Sequence, residues 1–209
     1  MSKEFWDEQF GKDEYRYGVE PNAFLAERAV DVLEPGARVV CFGEGEGRNA
    51  VWLARQGFKV TAVEQSSAGI AKMHALAKHH GVEVEAVQCT IEAFEPPQDG
   101  FDGVVLIYIH APPEARRAIH AKGRESLKDG GVILLEGFTP EQRLLGRESG
   151  GPPAIEMLFT EAILREDFGE LNIEYLETLE VELSEGAGHE GTANVIRMIA
   201  RPRSRALSD

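Results

Sequence analysis

Cysteine is scarce in this chain. There are two in 209 residues, Cys41 and Cys89. Neither has a second cysteine or a histidine at ligand spacing, so a cysteine-ligated metal site is not expected. Two isolated thiols, read as buried in strands, suit a reducing compartment, and cytoplasmic residence is the expectation. Long apolar runs are missing too. The longest, Val104–Ile109, falls far short of the roughly 20 residues that cross a bilayer, and the opening Met1–Asp7 has no hydrophobic leader core. No membrane association is expected. Positive charge is also short, with 22 Lys and Arg against 36 Asp and Glu, a net charge of -14. Phosphate backbones dock on basic surfaces, so a nucleic-acid partner is not expected, whereas a neutral or cationic small ligand suits an acidic protein. Repeats and low-complexity segments are absent. What remains is an ordinary globular balance, 43% hydrophobic and 28% charged, of a length that builds one domain with a sizeable core.

The order of apolar patterns carries the fold. Residues 2–10 read as a short helix with Phe5, Trp6 and Phe10 on one side, followed by a polar loop, Gly11–Glu20. Pro21 opens a helix to about Leu33, stopped by Glu34-Pro35-Gly36. Strand and helix then alternate. Ala37–Phe42 is a strand, Gly43–Gly47 a glycine turn and Arg48–Gln56 a helix closed by Gly57. Phe58–Val63 is a strand, and Ser66 or Ser67 caps a helix ending at Gly81. Val82–Cys89 is a strand, and Phe101–Ile109 is near-continuously apolar, as at the centre of a parallel sheet. Pro112 starts a helix ending near Lys128, the turn Asp129-Gly130-Gly131 follows, and Val132–Phe138 is the fifth strand. Beyond it come a loop with Gly150-Gly151-Pro152-Pro153, a helix near Thr160–Phe168, and two long strands, Asn172–Leu183 and Thr192–Arg201. The Ser184–Gly191 loop joins these two as an antiparallel hairpin, and the tail Arg203–Asp209 is expected to fray. Alternation implies an α/β fold with a doubly wound parallel sheet. Residues 1–209 are read as one domain: a helical lid over 1–33, a cofactor-binding core over 37–138, and an acceptor-side helix and hairpin over 139–202.

Cys41-Phe42-Gly43-Glu44-Gly45-Glu46-Gly47 joins the first strand to a helix. Alternate glycines allow a sharp turn and close approach to a ligand. Glu64, 21 residues after Gly43, ends the second strand, where a carboxylate accepts from both ribose hydroxyls, with Gln65 beside it. The spacing is G-x-G-x-G, with Arg48 where a dinucleotide fingerprint has its third glycine. Glu44 and Glu46 repel a pyrophosphate but are compatible with the sulfonium and ammonium of S-adenosylmethionine. A plain strand-to-helix turn with solvated glutamates is the alternative. After the third strand, Thr90 or Glu92 can accept from an adenine amino group while the Ile91 amide donates to the ring. The alternative there is a strand exit in which Thr90 caps a turn.

Several segments together resemble the TehB-like tellurite-resistance methyltransferases: Tyr15-Arg16-Tyr17-Gly18 with Pro21–Leu25, Gly43–Ala54, Gly57–Glu64, His110–Pro113, Gly130–Glu136 and Glu185–Gly191. The resemblance touches nearly the whole chain, and the glycine-loop segment through Arg48–Ala54 is its most specific part. It implies a class I, Rossmann-like seven-stranded sheet closed by an antiparallel hairpin, with S-adenosyl-L-methionine as cofactor and S-adenosyl-L-homocysteine as product. Four positions depart from the family pattern: Cys41 and Thr90 stand for aspartates, Glu44 for a cysteine, and Glu64 for the commoner aspartate.

Methyl transfer is an in-line displacement that gains mostly from alignment, with a general base needed only for a protonated nucleophile and no metal required. His110, directly after the fourth strand, should face the crevice and orient or deprotonate the acceptor, or else only pin its loop. By resemblance His189 and Arg197 line the acceptor site, Arg197 binding an oxyanion. The bland alternatives are a polar loop and a solvated strand face. Tyr17 closes over the cofactor as part of a lid or simply packs. Arg116, Arg117, His120, Lys122 and Arg124 read as a solvated helix face. The reading is methyl transfer to a small-molecule acceptor (tellurite or selenite, a thiol, a small metabolite). A non-catalytic S-adenosylmethionine- or nucleotide-binding protein is the alternative, and a nicotinamide-dependent oxidoreductase a second. Nothing in the sequence specifies an oligomeric state.

Overall fold

A computed structural model describes residues 2–203. The tail 204–209, part of the segment expected to fray, lies outside the described residues. The chain runs α1 (Lys3–Phe10), α2 (Ala23–Val32), β1 (Arg38–Phe42), α3 (Arg48–Arg55), β2 (Lys59–Glu64), α4 (Ser67–His80), β3 (Glu85–Gln88), β4 (Phe101–Ile107) and α5 (Pro113–Glu125). It continues through β5 (Leu127–Phe138), α6 (Glu141–Leu144), a 3-10 turn (Ile155–Met157), α7 (Glu161–Asp167), β6 (Leu171–Ser184) and β7 (Glu190–Pro202). The seven strands form one sheet in the order β3-β2-β1-β4-β5-β7-β6. The first five are mutually parallel, and β7 runs antiparallel to both β5 and β6. This is the doubly wound sheet with a closing hairpin that the alternation and the resemblance imply.

Side chains alternate across the pleat, so each central strand feeds two cores. Val39, Cys41, Val105, Ile107 and Leu134 pack on one face against Leu25 of α2, Leu53 of α3 and Met73 of α4. Val40, Phe42, Val104, Leu106 and Ile133 pack on the other against Ile119 of α5 and Leu164 of α7. Ser66, Asn22 and Thr160 each accept from a backbone amide in the first turn of the helix they precede, as N-caps do.

The differences from the sequence reading have local causes. The strand expected over Val82–Cys89 is shorter because Val82 belongs to the stop of α4. Gly81 is left-handed and the Val82 amide bonds back to Ala77 O at 3.1 Å, a Schellman closure. Cys89 therefore lies beyond β3 and is only half-buried, unlike Cys41. The turn at Asp129–Gly131 is absorbed into β5 as an irregularity: Phe101 pairs with Leu127 but Gly103 with Val132, so the intervening residues bow outward. Ile109 lies past the end of β4.

The basic face expected on α5 is also corrected. Arg116 and His120, four residues apart, point inward and are nearly inaccessible. Both meet the carboxylate of Asp167 at the end of α7, Arg116 Nε at 2.8 Å and His120 Nδ1 at 2.7 Å, and Arg124 donates to the Asp167 carbonyl. One buried carboxylate thus joins α5 to α7, and the Arg116 and His120 pairs pull its pKa below the usual carboxylate value. Asp167→Ala leaves a buried guanidinium without a counter-charge. It is expected to cost about 3 kcal/mol, read as a lower denaturation midpoint.

Candidate active site

β1 and β4 are neighbours at the switch point of the sheet, where the connections turn from one face to the other, and ligands of such sheets bind outside the strand ends there. The turn leaving β1 holds Gly43, Gly45 and Gly47 in left-handed conformation, at φ 55°, 64° and 94°. Gly47 has no room for a Cβ, which would stand 2.4 Å from Met73 Cγ, and Gly43 has little. A Cβ on Gly43 would stand 2.6 Å from Ile109 Cδ1 and 3.8 Å from Ile91 Cδ1. Two half-buried isoleucines thus flank a bare strip of backbone.

Glu64, at the end of β2, accepts from the Gly45 amide at 2.8 Å and the Ser66 amide at 2.7 Å. It ties the glycine turn to the start of α4. These bonds do not exhaust the roughly four lone-pair positions of a carboxylate. Burial pushes its pKa up. Helix α1 covers it: Asp7 Oδ1 accepts from Ser66 Oγ at 2.7 Å and from the Ala68 amide at 3.2 Å. The Phe10 ring lies 3.1 Å from the position of a Cβ on Gly45. Gln65, half-buried, accepts from Gln88 Nε2 through its carbonyl at 3.4 Å.

Glu44 and Glu46 are buried and engaged by the protein's own groups, not solvated. Gly47 is the N-cap of α3 and offers no side-chain acceptor, so Glu44 supplies one, accepting from the Ala50 amide at 2.7 Å. Glu46 accepts from the Arg16 amide at 2.7 Å and pairs with Lys72 at 2.7 Å. One acid caps a helix and the other holds the N-terminal loop. Burial raises Glu44 from 4.5 to about 7. Folding therefore favours its protonated form, a contribution complete below about pH 4.5 and lost as pH rises through 7. Glu44→Gln keeps an acceptor without the charge. Its melting temperature is expected to exceed that of the parent by about 5 °C at pH 8, with the difference vanishing near pH 4.

Past β3, Thr90 Oγ1 accepts from the Ala93 amide at 3.3 Å, the turn-capping arrangement. Thr90 and Glu92 are exposed and Ile91 is half-buried.

A strap, residues 14–18, crosses from α4 over the glycine turn to the hairpin tip. Lys72 Nζ donates to Glu14 O at 2.7 Å, Tyr15 Oη to Lys72 O at 3.1 Å, and the Gly188 amide to Arg16 O at 3.0 Å. The tip glycines admit it: a Cβ on Gly186 would meet Gly18 N at 2.3 Å, and one on Gly188 would meet Tyr17 Cε1 at 2.5 Å. The closure sets the Tyr17 ring 4.5 Å from that of His189. Tyr108 lies 4.5 Å and Phe138 5.4 Å from the same imidazole.

Beneath these rings is a buried polar network. Glu136 is fully inaccessible; it accepts from Asn22 Nδ2 at 2.8 Å, from Tyr108 Oη and from Arg197 Nε. Asn22 also donates to Glu185 at 3.2 Å. Arg48 Nη1 lies 2.9 Å and His189 Nδ1 3.6 Å from Glu185 Oε2. These three buried atoms lack a well-directed hydrogen bond, which leaves them capacity for a polar ligand group. Burial holds His189 below its usual pKa despite Glu185.

The structure thus brings Tyr17, His189 and Arg197 to one place and sets His110 apart from them. His110 Nδ1 donates to Met157 O at 2.9 Å, and its Nε2 accepts from the Phe138 amide at 3.0 Å. Both ring nitrogens are engaged, and burial lowers its pKa to about 4. It pins the β4–α5 loop to β5, and neither nitrogen is left to take a proton from an acceptor. Sequence reasoning missed Asn22, Arg48, Tyr108, Glu136 and Glu185 as a group. A signal existed for Glu136, an acid among Val132–Phe138, since an unpaired carboxylate is almost never fully buried.

Residues 39–131 match the family described as methyltransferase domain. No curated protein sequence matches the chain. Solved structures do. TehB from Haemophilus influenzae is 17% identical, with 96% of this chain and 67% of that one covered and a TM-score of 0.69. A protein described by the conversion of a disulfide bond into a thioacetal group during echinomycin biosynthesis is 15% identical, with 99% and 94% covered and a TM-score of 0.77. The magnesium protoporphyrin IX methyltransferase of Synechocystis, with S-adenosylhomocysteine bound, is 16% identical, with 96% and 83% covered and a TM-score of 0.65. The six-stranded parallel order of a nicotinamide domain is absent among the described residues. The strand order and the glycine turn agree with that match to a methyltransferase domain over residues 39–131, and the chain as a whole has the fold of TehB.

Proposed function

We propose that the protein methylates a small molecule held beneath the strap. The observation that carries this reading is the closure of residues 14–18 between Glu46 and the hairpin tip, with Tyr17 on His189. A site bounded by a strap and a ring of aromatic side chains suits an acceptor of metabolite size.

The residues present fit S-adenosylmethionine. Glu64 has acceptors for the ribose hydroxyls, and Gly43 between Ile91 and Ile109 offers bare backbone and apolar walls. Arg48 and Glu185, a buried ion pair, carry the two charges that complement a zwitterionic amino-acid end. The cofactor supplies an electrophilic methyl group on a sulfonium. The chain's own part is alignment and exclusion of water: α1 covers Glu64, and the strap covers the acceptor side. Tyr17, His189 and Arg197 belong to the acceptor side in this reading.

Tellurite or selenite, a thiol and a small metabolite are the acceptor classes it takes in, with no role for nucleic acid. It treats residues 1–209 as one domain. It also places the protein in the cytoplasm, which suits its free thiols. Among the described residues no helix is long and apolar enough to cross a membrane. Incubation with S-adenosylmethionine and small oxyanions, thiols and amines is expected to form S-adenosylhomocysteine. Formation only with DNA, RNA or a protein as acceptor contradicts the proposal.

A further inference from the structure

The cover over the crevice has two parts. Helix α1 lies on the start of α4, where Asp7 Oδ1 accepts from the Ser66 and Ser67 hydroxyls at 2.7 and 3.2 Å and from the Ala68 amide at 3.2 Å. Phe10, the one buried side chain of α1, sets its ring 3.1 Å from the Cβ positions of Gly45 and Gly69. The strap closes on the hairpin tip through the Gly188 amide and through the Tyr17 ring on His189. The main chain between the two parts, residues 11–14, is exposed.

One side chain joins them. The Arg16 backbone is fixed to the body of the protein: its amide donates to Glu46 at 2.7 Å and its carbonyl accepts from Gly188 at 3.0 Å. Its side chain turns back to α1, where Nη1 donates to Gln9 Oε1 at 2.7 Å. Nε donates to Tyr17 Oη at 3.2 Å, and the guanidinium lies over the Tyr17 ring, 5.4 Å from its centre. Both partners are neutral. What they use is the planar fork, with its donors at fixed angles, rather than the charge. Direct bonds thus run from Glu64 through Ser66 to Asp7 of α1, and from Gln9 of α1 through Arg16 to Tyr17 on His189.

Bonds in series couple two sites only through an element with two states that both sites bias. The cover is such an element. Glu64 is 5% exposed, so a ribose reaches its carboxylate only when α1 lifts. A ligand that touches α1 in the closed state alone shifts the balance toward closure by its differential affinity. We propose that Arg16 is a positioning residue that makes α1 and the strap one cover, so that cofactor bound at Glu64 sets Tyr17 over the acceptor side. The proposal rests on the reading of Glu64 and the glycine turn as the cofactor site, and deepens it. Cofactor and acceptor then enter through one opening. By reciprocity, an acceptor beneath Tyr17 tightens the hold on the cofactor.

Amide hydrogen exchange followed by NMR reads the two parts separately. The Ala68 amide donates to Asp7 of α1, and the Gly188 amide donates to Arg16 O of the strap. The ligands are S-adenosylhomocysteine and 5′-methylthioadenosine, which has the ribose of the cofactor but lacks the amino-acid end assigned to Arg48 and Glu185. At saturation each is expected to slow both amides about tenfold in the parent. In Arg16→Met, and independently in Gln9→Ala, Ala68 is still expected to slow about tenfold, and Gly188 by less than about twofold. A role in stability alone would instead change both amides together, with or without ligand. Undiminished slowing of Gly188 in the variants overturns the inference, as does loss of slowing at both amides. So does a parent in which ligand slows Ala68 and leaves Gly188 unchanged. Gln9→Ala keeps the test open if Arg16→Met does not fold, and S-adenosylhomocysteine decides it if methylthioadenosine does not bind. Binding of neither ligand overturns the cofactor reading itself, a result distinct from all of these.

Discussion

Glu64→Ala is expected to lower S-adenosylmethionine affinity at least about 100-fold and to destabilise the protein even without cofactor. The two effects have separate causes. The carboxylate now satisfies the amides of Gly45 and Ser66, both enclosed by α1. Alanine leaves them without an acceptor, and a buried unsatisfied amide costs about 1–3 kcal/mol. The glycine turn then loses its tie to the start of α4, so the backbone that should meet the cofactor is no longer held in place. The ribose hydroxyls lose their charged acceptor as well, at about 1.5–3 kcal/mol. Losses of that size together account for two orders of magnitude in binding. Thermal melts without ligand report the first effect and calorimetry the second. Glu64→Gln, which keeps one carbonyl oxygen, should fall between parent and alanine on both. An alanine variant that binds the cofactor as tightly as the parent would show that Glu64 serves only the fold.

Glu136→Ala should have the larger effect on stability, about 3–5 kcal/mol. Glu136 is the acceptor shared by Asn22, Tyr108 and Arg197. Removing it strands a guanidinium, an amide and a phenol around a fully buried position. It also removes the carboxylate that holds the Tyr108 hydroxyl, while the bond from the Tyr108 amide to the main-chain carbonyl of residue 136 stays. Total stabilities of single domains are about 5–15 kcal/mol, so the variant is expected to be largely molten or weakly folded at 37 °C. Chemical denaturation followed by tryptophan fluorescence measures this. Glu136→Gln retains an acceptor for Asn22 or Tyr108 and should lose less. A variant with parental stability would mean that the network is solvated rather than buried.

The sequence made local features legible and left long-range ones hidden. The apolar runs of Arg38–Phe42 and Phe101–Ile107, the Ser66 cap and the Gly81 stop are each decided by neighbours a few residues away. The glycine turn and Glu64 were readable for the same reason: the strand-turn-helix pattern fixes their relative positions. Glu44 was misread because its partner is the amide six residues on, a helix-capping role that charge alone does not reveal. Nothing local links Asn22 to Glu136 or Glu185, which lie 114 and 163 residues further along the chain. Arg116 and His120 had the four-residue spacing of one helix face, but the acid that draws that face inward, Asp167, comes from α7. His110 was placed correctly at the strand exit, yet its two hydrogen bonds come from β5 and the 3-10 segment, and they decide its role. Tyr108 was hidden because an apolar run gives no sign of a residue with positive φ.

The most direct measurement is calorimetric titration of the folded protein with S-adenosylmethionine and S-adenosylhomocysteine, with NADH as control. Dissociation constants of about micromolar order for the first two, and no heat with NADH, are predicted. A folded protein that binds neither form of the cofactor, or that binds NADH instead, would contradict the assignment of the glycine turn and Glu64 to S-adenosylmethionine.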